Sequence, residues 1–238
     1  MDVVIAKNVT KDYTTGKVTV RALEEVNFTI LPGSFVSFVG PSGSGKTTLL
    51  NLIGCLDKPT QGMLTVAGTD VARLDRRSGA LFRGKNIGFI FQDFNLIPIL
   101  TVYENVEYPL VMVRGVDVKN RKKKVIELIE AVGIGAERDK YPDQLSGGQK
   151  QRVAVARALV TAPKLVLADE PTANLDSRTA AIIIGLMKKM RDSLGTTFIF
   201  STHDMRIVDA AEAIHTLRDG KLTDMMKRNV EKKGERYV

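Results

Sequence analysis

Gly40-Pro41-Ser42-Gly43-Ser44-Gly45-Lys46-Thr47-Thr48 fits the phosphate-loop pattern G-x-x-x-x-G-K-[ST] at every fixed position. The apolar run Phe35–Val39 leads in as a buried strand, and Thr48–Ile53 leads out with helical spacing. The glycines permit backbone angles and close approaches that a Cβ obstructs. Successive backbone N–H groups can then curl around a phosphate at the positive end of the following helix. Lys46 is expected to reach the β- and γ-phosphates, and the Thr47 hydroxyl to ligate Mg²⁺. A flexible Gly/Ser linker is the plain alternative, but linkers are not bracketed by a buried strand and an apolar helix.

The chain has 238 residues, 44% of them hydrophobic, enough for one large core or two joined lobes. Its formal net charge of +8 permits an anionic partner. Trp is absent, aromatics are 6%, and no basic–aromatic stacking pattern occurs, so no nucleic-acid partner is expected. The single Cys55 excludes an internal disulfide and reads as a small packed residue. No stretch approaches the roughly 20 apolar residues that span a bilayer, and Met1–Ala6 lacks the pattern of a signal peptide. The expectation is a cytoplasmic protein whose membrane role needs a partner.

Further candidate sites follow the phosphate loop. Tyr13 lies beside a turn, where an aromatic ring can stack on a base or simply pack. Ile87–Phe91 reads as a buried strand ending at Gln92, where ligands bind in α/β proteins. Thr101 is a candidate cap for a helix over Val102–Tyr108, and Lys119–Val132 is an amphipathic helix with a basic start that opposes the macrodipole. Leu145-Ser146-Gly147-Gly148-Gln149 precedes a long helix and offers a second anion-binding nest, or an ordinary Ser cap. Lys164–Glu170 is an apolar strand ending in two carboxylates: Asp169 suits Mg²⁺, and Glu170 can polarise a water. Asp176 lies in a short loop before the helix Ser177–Arg191, and His203 follows the buried strand Thr196–Ser201. His215 is given no role, and the charged tail is expected to fray beyond Met225.

Taken as an ordered set, these motifs resemble the ATP-binding cassette (ABC) ATPases over roughly Val3 to Lys221. The resemblance implies an α/β fold: a P-loop NTPase (RecA-like) core with an antiparallel β lobe and an inserted helical subdomain. The catalytic lobe would cover 1–92 and 151–222, the insertion 93–150 and the charged tail 223–238. It implies ATP and Mg²⁺, with Tyr13 on adenine, Gly40 through Thr48 around the phosphates, and Thr47, Gln92 and Asp169 at the metal. Glu170 would be the catalytic carboxylate, assisted by Lys46, Gln92 and His203, with Asp176 in the adjoining loop. Ser146, Gly148 and Gln149 would serve ATP held by the other cassette of a homodimer, which explains two nests on one chain.

The stretches Asn51–Thr60 and Phe91–Pro98 look most like the branch for lipoprotein release and macrolide or peptide export. The implied protein sits on the inner face of the membrane through a separate permease docked near Gln92–Leu100. Its cargo would be lipoprotein, peptide or drug-like. The alternative within the family is a mechanotransmission ATPase that moves no substrate. A soluble relative working on DNA or ribosomes usually carries two cassettes or a long coiled-coil insertion, and a plain P-loop kinase or GTPase leaves the second nest unexplained.

Overall fold

The computed structural model describes residues 2–112 and 117–227. β1 (Val4–Thr15) and β2 (Val18–Ile30) form a long antiparallel hairpin, joined by β4 (Gln61–Val66) and β5 (Thr69–Asp70) in the order β2-β1-β4-β5. This is the expected antiparallel lobe. The second sheet runs β10-β9-β3-β8-β7-β6, comprising β3 (Phe35–Val39), β6 (Ile87–Ile90), β7 (Leu165–Asp169), β8 (Thr197–Ser201), β9 (Ala213–Arg218) and β10 (Lys221–Lys227). All its pairings are parallel except β9 with β10. β3, β7 and β8 are short, apolar and buried along nearly their whole length, as strands covered on both faces must be.

Two cores cover those faces. On one, Phe35, Val166, Phe198 and Phe200 pack with buried residues of α3 (Val102–Met112), α4 (Val118–Ala131), α5 (Gly147–Leu159) and α6 (Ser177–Leu194). On the other, Phe38, Leu167 and Ile199 pack with α1 (Lys46–Ile53) and the antiparallel sheet. The alternation Phe198/Ile199/Phe200 thus divides one strand between two cores. α2 (Arg76–Asn86) precedes β6, and the short α7 (Met205–Ala210) follows β8. Among the described residues no helix is long and apolar enough to cross a membrane.

Local chemistry sets the helix ends. Thr101 caps α3 reciprocally with Glu104: its hydroxyl accepts from the Glu104 N–H at 3.2 Å, while Glu104 Oε2 accepts from the Thr101 N–H at 2.8 Å. α3 continues through Pro109, past the predicted end. Asp117 accepts from the Asn120 N–H and places a negative charge ahead of the basic first turn of α4. The fraying expected beyond Met225 does not begin there, because Met226 and Lys227 pair with Ile214 and Ala213 in β9. Residues 228–238 of the expected tail lie outside the described residues.

His215 sits in β9 at 2% exposure, stacked on Phe38 with ring centroids 5.0 Å apart. Its Nδ1 has no hydrogen-bond partner. Burial, with the Lys227 ammonium adding to it, pushes its pKa down from 6.5 to about 4. A neutral ring in the fold and a protonated ring in the unfolded chain make stability full above pH 6.5 and decreasing toward pH 4. Between pH 7.5 and pH 5 this amounts to about 2 kcal/mol. Urea unfolding at the two pH values should show that loss, and His215→Phe should remove it. An identical pH dependence in the variant would show that His215 is not its source.

Candidate functional site

The parallel register brings the functional loops to one edge. Phe38 pairs with Ser201 across β3 and β8, and Asp169 pairs with Ser201 across β7 and β8. The phosphate loop, the two carboxylates and His203 therefore start from adjacent strand ends, where open α/β sheets bind ligands. They surround a cavity of about 710 Å³ lined by Gly40 to Gly43, Gly45 to Thr48, Gln92, Asp169, Glu170 and His203.

The loop is shaped for an anion. Gly45 caps α1 at φ 101°, and a Cβ there would lie 2.6 Å from the Ala22 carbonyl oxygen, so the loop cannot take this path with a side chain. Lys46 is buried, and its Nζ donates to the carbonyls of Gly40 at 2.7 Å and Pro41 at 2.9 Å. Ser44 Oγ is buried without a partner. A buried ammonium folded onto neutral carbonyls at the cavity wall fits a phosphate group. The Thr47 hydroxyl lies 3.3 Å from Asp169 Oδ2, and Gln92 lines the same cavity. These hard oxygen donors fit Mg²⁺, which uses few protein ligands alongside water and phosphate.

Glu170 is held from two sides. Thr202 Oγ1 donates to Oε2 at 3.1 Å, and His203 Nδ1 lies 2.7 Å from Oε1. A carboxylate only accepts, so Nδ1 carries the proton. The Glu170 backbone has φ 46°, an uncommon conformation for a side-chain-bearing residue, and its N–H donates to the Ser201 carbonyl. The following loop is anchored as well. Thr172 Oγ1 bonds Asp204 Oδ2 at 2.6 Å, and Asn174 Nδ2 donates to the Gln92 carbonyl at 3.1 Å and to Asp93 Oδ1 at 3.0 Å. The hydrogen-bonded Arg206 guanidinium, with help from Thr172, lowers the Asp204 pKa to about 2. The motif reading includes Asn174 in the loop Asn174–Asp176 and Thr202 beside His203 but gives neither a role of its own, and it does not single out Thr172. Their only signal was position beside the strand-end motifs.

The remaining sequence candidates lie apart from this cavity. Ser146, Gly148, Gln149 and Asp176 line a separate cavity of about 360 Å³. Ser146 is a helix cap: its hydroxyl accepts from the Gln149 N–H, and the Gln149 side chain accepts from the Ser146 N–H at 2.8 Å. Asp176 caps α6 through the N–H groups of Arg178 and Thr179, both at 3.0 Å; hydrogen bonds from Thr179 and then Arg178 lower its pKa. Tyr13 is 40% exposed, outside the lining of the large cavity, and its hydroxyl bonds Asp57 Oδ2 at 3.0 Å. Lys11 Nζ lies 4.8 Å from the ring centroid. The strand opposite Tyr13 contributes Val20, Arg21 and Ala22 to that cavity instead.

Comparison with known proteins agrees with this architecture. The family model for "ABC transporter" matches residues 23–173. An uncharacterized ABC transporter ATP-binding protein of Thermotoga maritima is 46% identical over 94% of each chain. The lipoprotein-releasing system ATP-binding protein LolD of Anaeromyxobacter dehalogenans is 47% identical over 90% of each. Among solved structures, the dimeric post-hydrolysis state of the ATP-binding cassette MJ0796 of Methanocaldococcus jannaschii, bound to ADP and Pi, superposes with a TM-score of 0.85. That match covers 94% of this chain and 98% of the other, at 45% identity. The phosphate loop, the strand-end carboxylates and these similarities together place the chain in the ABC transporter family, as one of its ATP-hydrolysing cassettes.

Proposed function

We propose that two copies of the chain clamp two ATP molecules and use their hydrolysis to drive a separate permease. The observation that carries this reading is a pair of separate cavities on one chain, one at the phosphate loop and one at the Ser146–Gly148 helix start, which share no lining residue. A two-fold, head-to-tail pair sets the phosphate loop of one copy against the Ser146–Gly148 nest of the other and closes both sites at once. The MJ0796 structure, dimeric and bound to ADP and Pi, supports the arrangement, and the LolD relative supports a membrane-coupled role in lipoprotein release.

Lys46 and the loop N–H groups stabilise charge on the transferring phosphoryl group. Thr47 and Asp169 would hold Mg²⁺, with Gln92 lining the same cavity, and a bound ion would supply positive charge to offset that of the phosphates. Tyr13, outside the cavity lining with its hydroxyl on Asp57, would meet an adenine only where the base extends past that cavity, and Asp176 and Gln149 border the second nest. Glu170 accepts a proton from the attacking water. With its proton on Nδ1 facing Glu170, neutral His203 presents only an acceptor at Nε2. Donation to a phosphate oxygen therefore requires a doubly protonated ring or the other tautomer.

Lys46→Ala should abolish ATP binding or turnover, because the phosphates lose their cation. Glu170→Gln should bind ATP, lose turnover and shift from monomer to dimer on size-exclusion chromatography when ATP is added. An unchanged monomer peak would refute the clamp.

The permease contact is assigned to the loop after Gln92. Leu96 packs against the core, whereas Ile99 is 82% exposed. Nearby, Phe89, Phe91, Pro109 and Arg157 line a groove of about 300 Å³. Ile99→Asp should weaken co-purification with the permease and leave the isolated subunit's ATPase rate within about twofold. Full retention of the partner would rule out Ile99 as a contact.

A further inference from the structure

Gln151 lies early in α5, just beyond the Ser146–Gly148 nest, and is wholly buried. Its Nε2 donates to the carbonyl of Pro171 at 2.7 Å, while its Oε1 has no hydrogen-bond partner. A carbonyl oxygen only accepts, so this bond fixes the orientation of the amide. A fully buried amide with one end unpaired is a poor choice for stability alone, since an orphaned acceptor is destabilising. Neighbouring positions on α5, Val153 and Val155, are apolar and belong to the core. The polar side chain at 151 therefore calls for a reason other than packing.

Its bonding partner supplies one. Pro171 directly follows Glu170, whose backbone is held at φ 46°. The Glu170 carboxylate and the Pro171 carbonyl are thus carried by consecutive residues in a strained turn. That turn is tied to β8 through the Glu170 N–H and to the post-β8 loop through Thr172 and Asp204. Gln151 ties it to α5. A movement of α5 along its axis would pull on the Pro171 carbonyl and re-aim the carboxylate one residue away.

We propose that Gln151 is a positioning residue, coupling the Ser146–Gly148 nest at the start of α5 to the aim of Glu170 in the same cassette. When the nest takes the γ-phosphate held by the other copy, the settled α5 fixes Glu170 for attack on its own ATP. Each copy thereby reads one ATP and hydrolyses the other. This rests on the proposed reading of the nest as a cross-copy phosphate site and of Glu170 as the water-activating carboxylate.

Gln151→Met keeps the length of the side chain and removes the donor. In the full chain, kcat should fall by about tenfold to a hundredfold, as expected when a reacting group is misplaced by about an ångström. KM for ATP should stay within about twofold, because the phosphate loop is untouched. The Hill coefficient for ATP should drop from about two toward one. The melting midpoint should change little, since Met removes the unpaired Oε1 and leaves the Pro171 carbonyl unpaired in its place, and Glu170→Gln combined with Gln151→Met should still dimerise with ATP. Normal kcat and cooperativity in a folded variant would overturn the proposal, as would joint losses in kcat, KM and melting midpoint. Gln151→Leu answers the same questions if the Met variant does not fold. Glu170→Gln separates the two levels. If Glu170→Gln turns over ATP normally, the underlying reading falls and the coupling with it. If it is inactive while Gln151→Met runs at full rate, the coupling alone is wrong.

Discussion

The parallel register of β3, β7 and β8 is the constraint on which the site depends. Phe38 opposite Ser201, and Ser201 opposite Asp169, bring three loops to one edge without any side chain reaching far. That register is held because all three strands are buried on both faces, so a slip of one residue would exchange the side chains that fill the two cores. Phe198 and Phe200 belong to one core and Ile199 to the other, with little room for either to accept the wrong set. The precision of the chemistry is inherited from the packing beneath it.

Against that rigid base, the loops hold unusual backbone conformations. Glu170, Phe94 and Asn95 all have positive φ without being glycine. Phe94 and Asn95 follow Gln92 closely, and the Arg157 guanidinium donates to both of their carbonyls. Burial lowers the Arg157 pKa, which marks how much solvation that cation gives up to hold the turn. Such conformations persist where surrounding contacts over-determine them, and they cluster where a site must switch between two arrangements. Here both strained segments flank the cavity and meet through Asn174, which bonds the Gln92 carbonyl.

Much of this was legible in the sequence, for identifiable reasons. The phosphate loop, β7 with its strand-end carboxylates, and β8 with His203 two residues past its end are local: period, burial and motif agree within a few residues. The Thr101 cap was legible because both partners of the capping box lie on one turn. The passage of α3 through Pro109 was not, since proline usually ends a helix and tertiary packing here overrides that preference. The extension of β10 past Met225 was hidden because charged residues suit an exposed edge strand as well as a frayed tail. Thr202, Thr172, Asn174 and Gln151 act through partners 20 or more residues away, and no local pattern encodes a distant carbonyl.

The two nests also explain why one copy of the chain would be an incomplete enzyme. The residues around the phosphate loop supply a cation, hard oxygen donors and a carboxylate to one cavity. The Ser146–Gly148 nest is capped and ordered by its own hydrogen bonds, so it needs no ligand to form. On the proposed reading, such a preformed donor site costs little to engage, and its contribution is realised only when a second copy brings it to the phosphate. Under the proposed clamp, the carboxylate and the donors that complete the charge stabilisation come from different copies. Hydrolysis then waits on assembly, and the energy of closing the pair becomes available to a partner attached to the loop after Gln92. On this view Asn174 is well placed to carry that dependence, because it bonds the Gln92 carbonyl from the same segment that begins at Glu170.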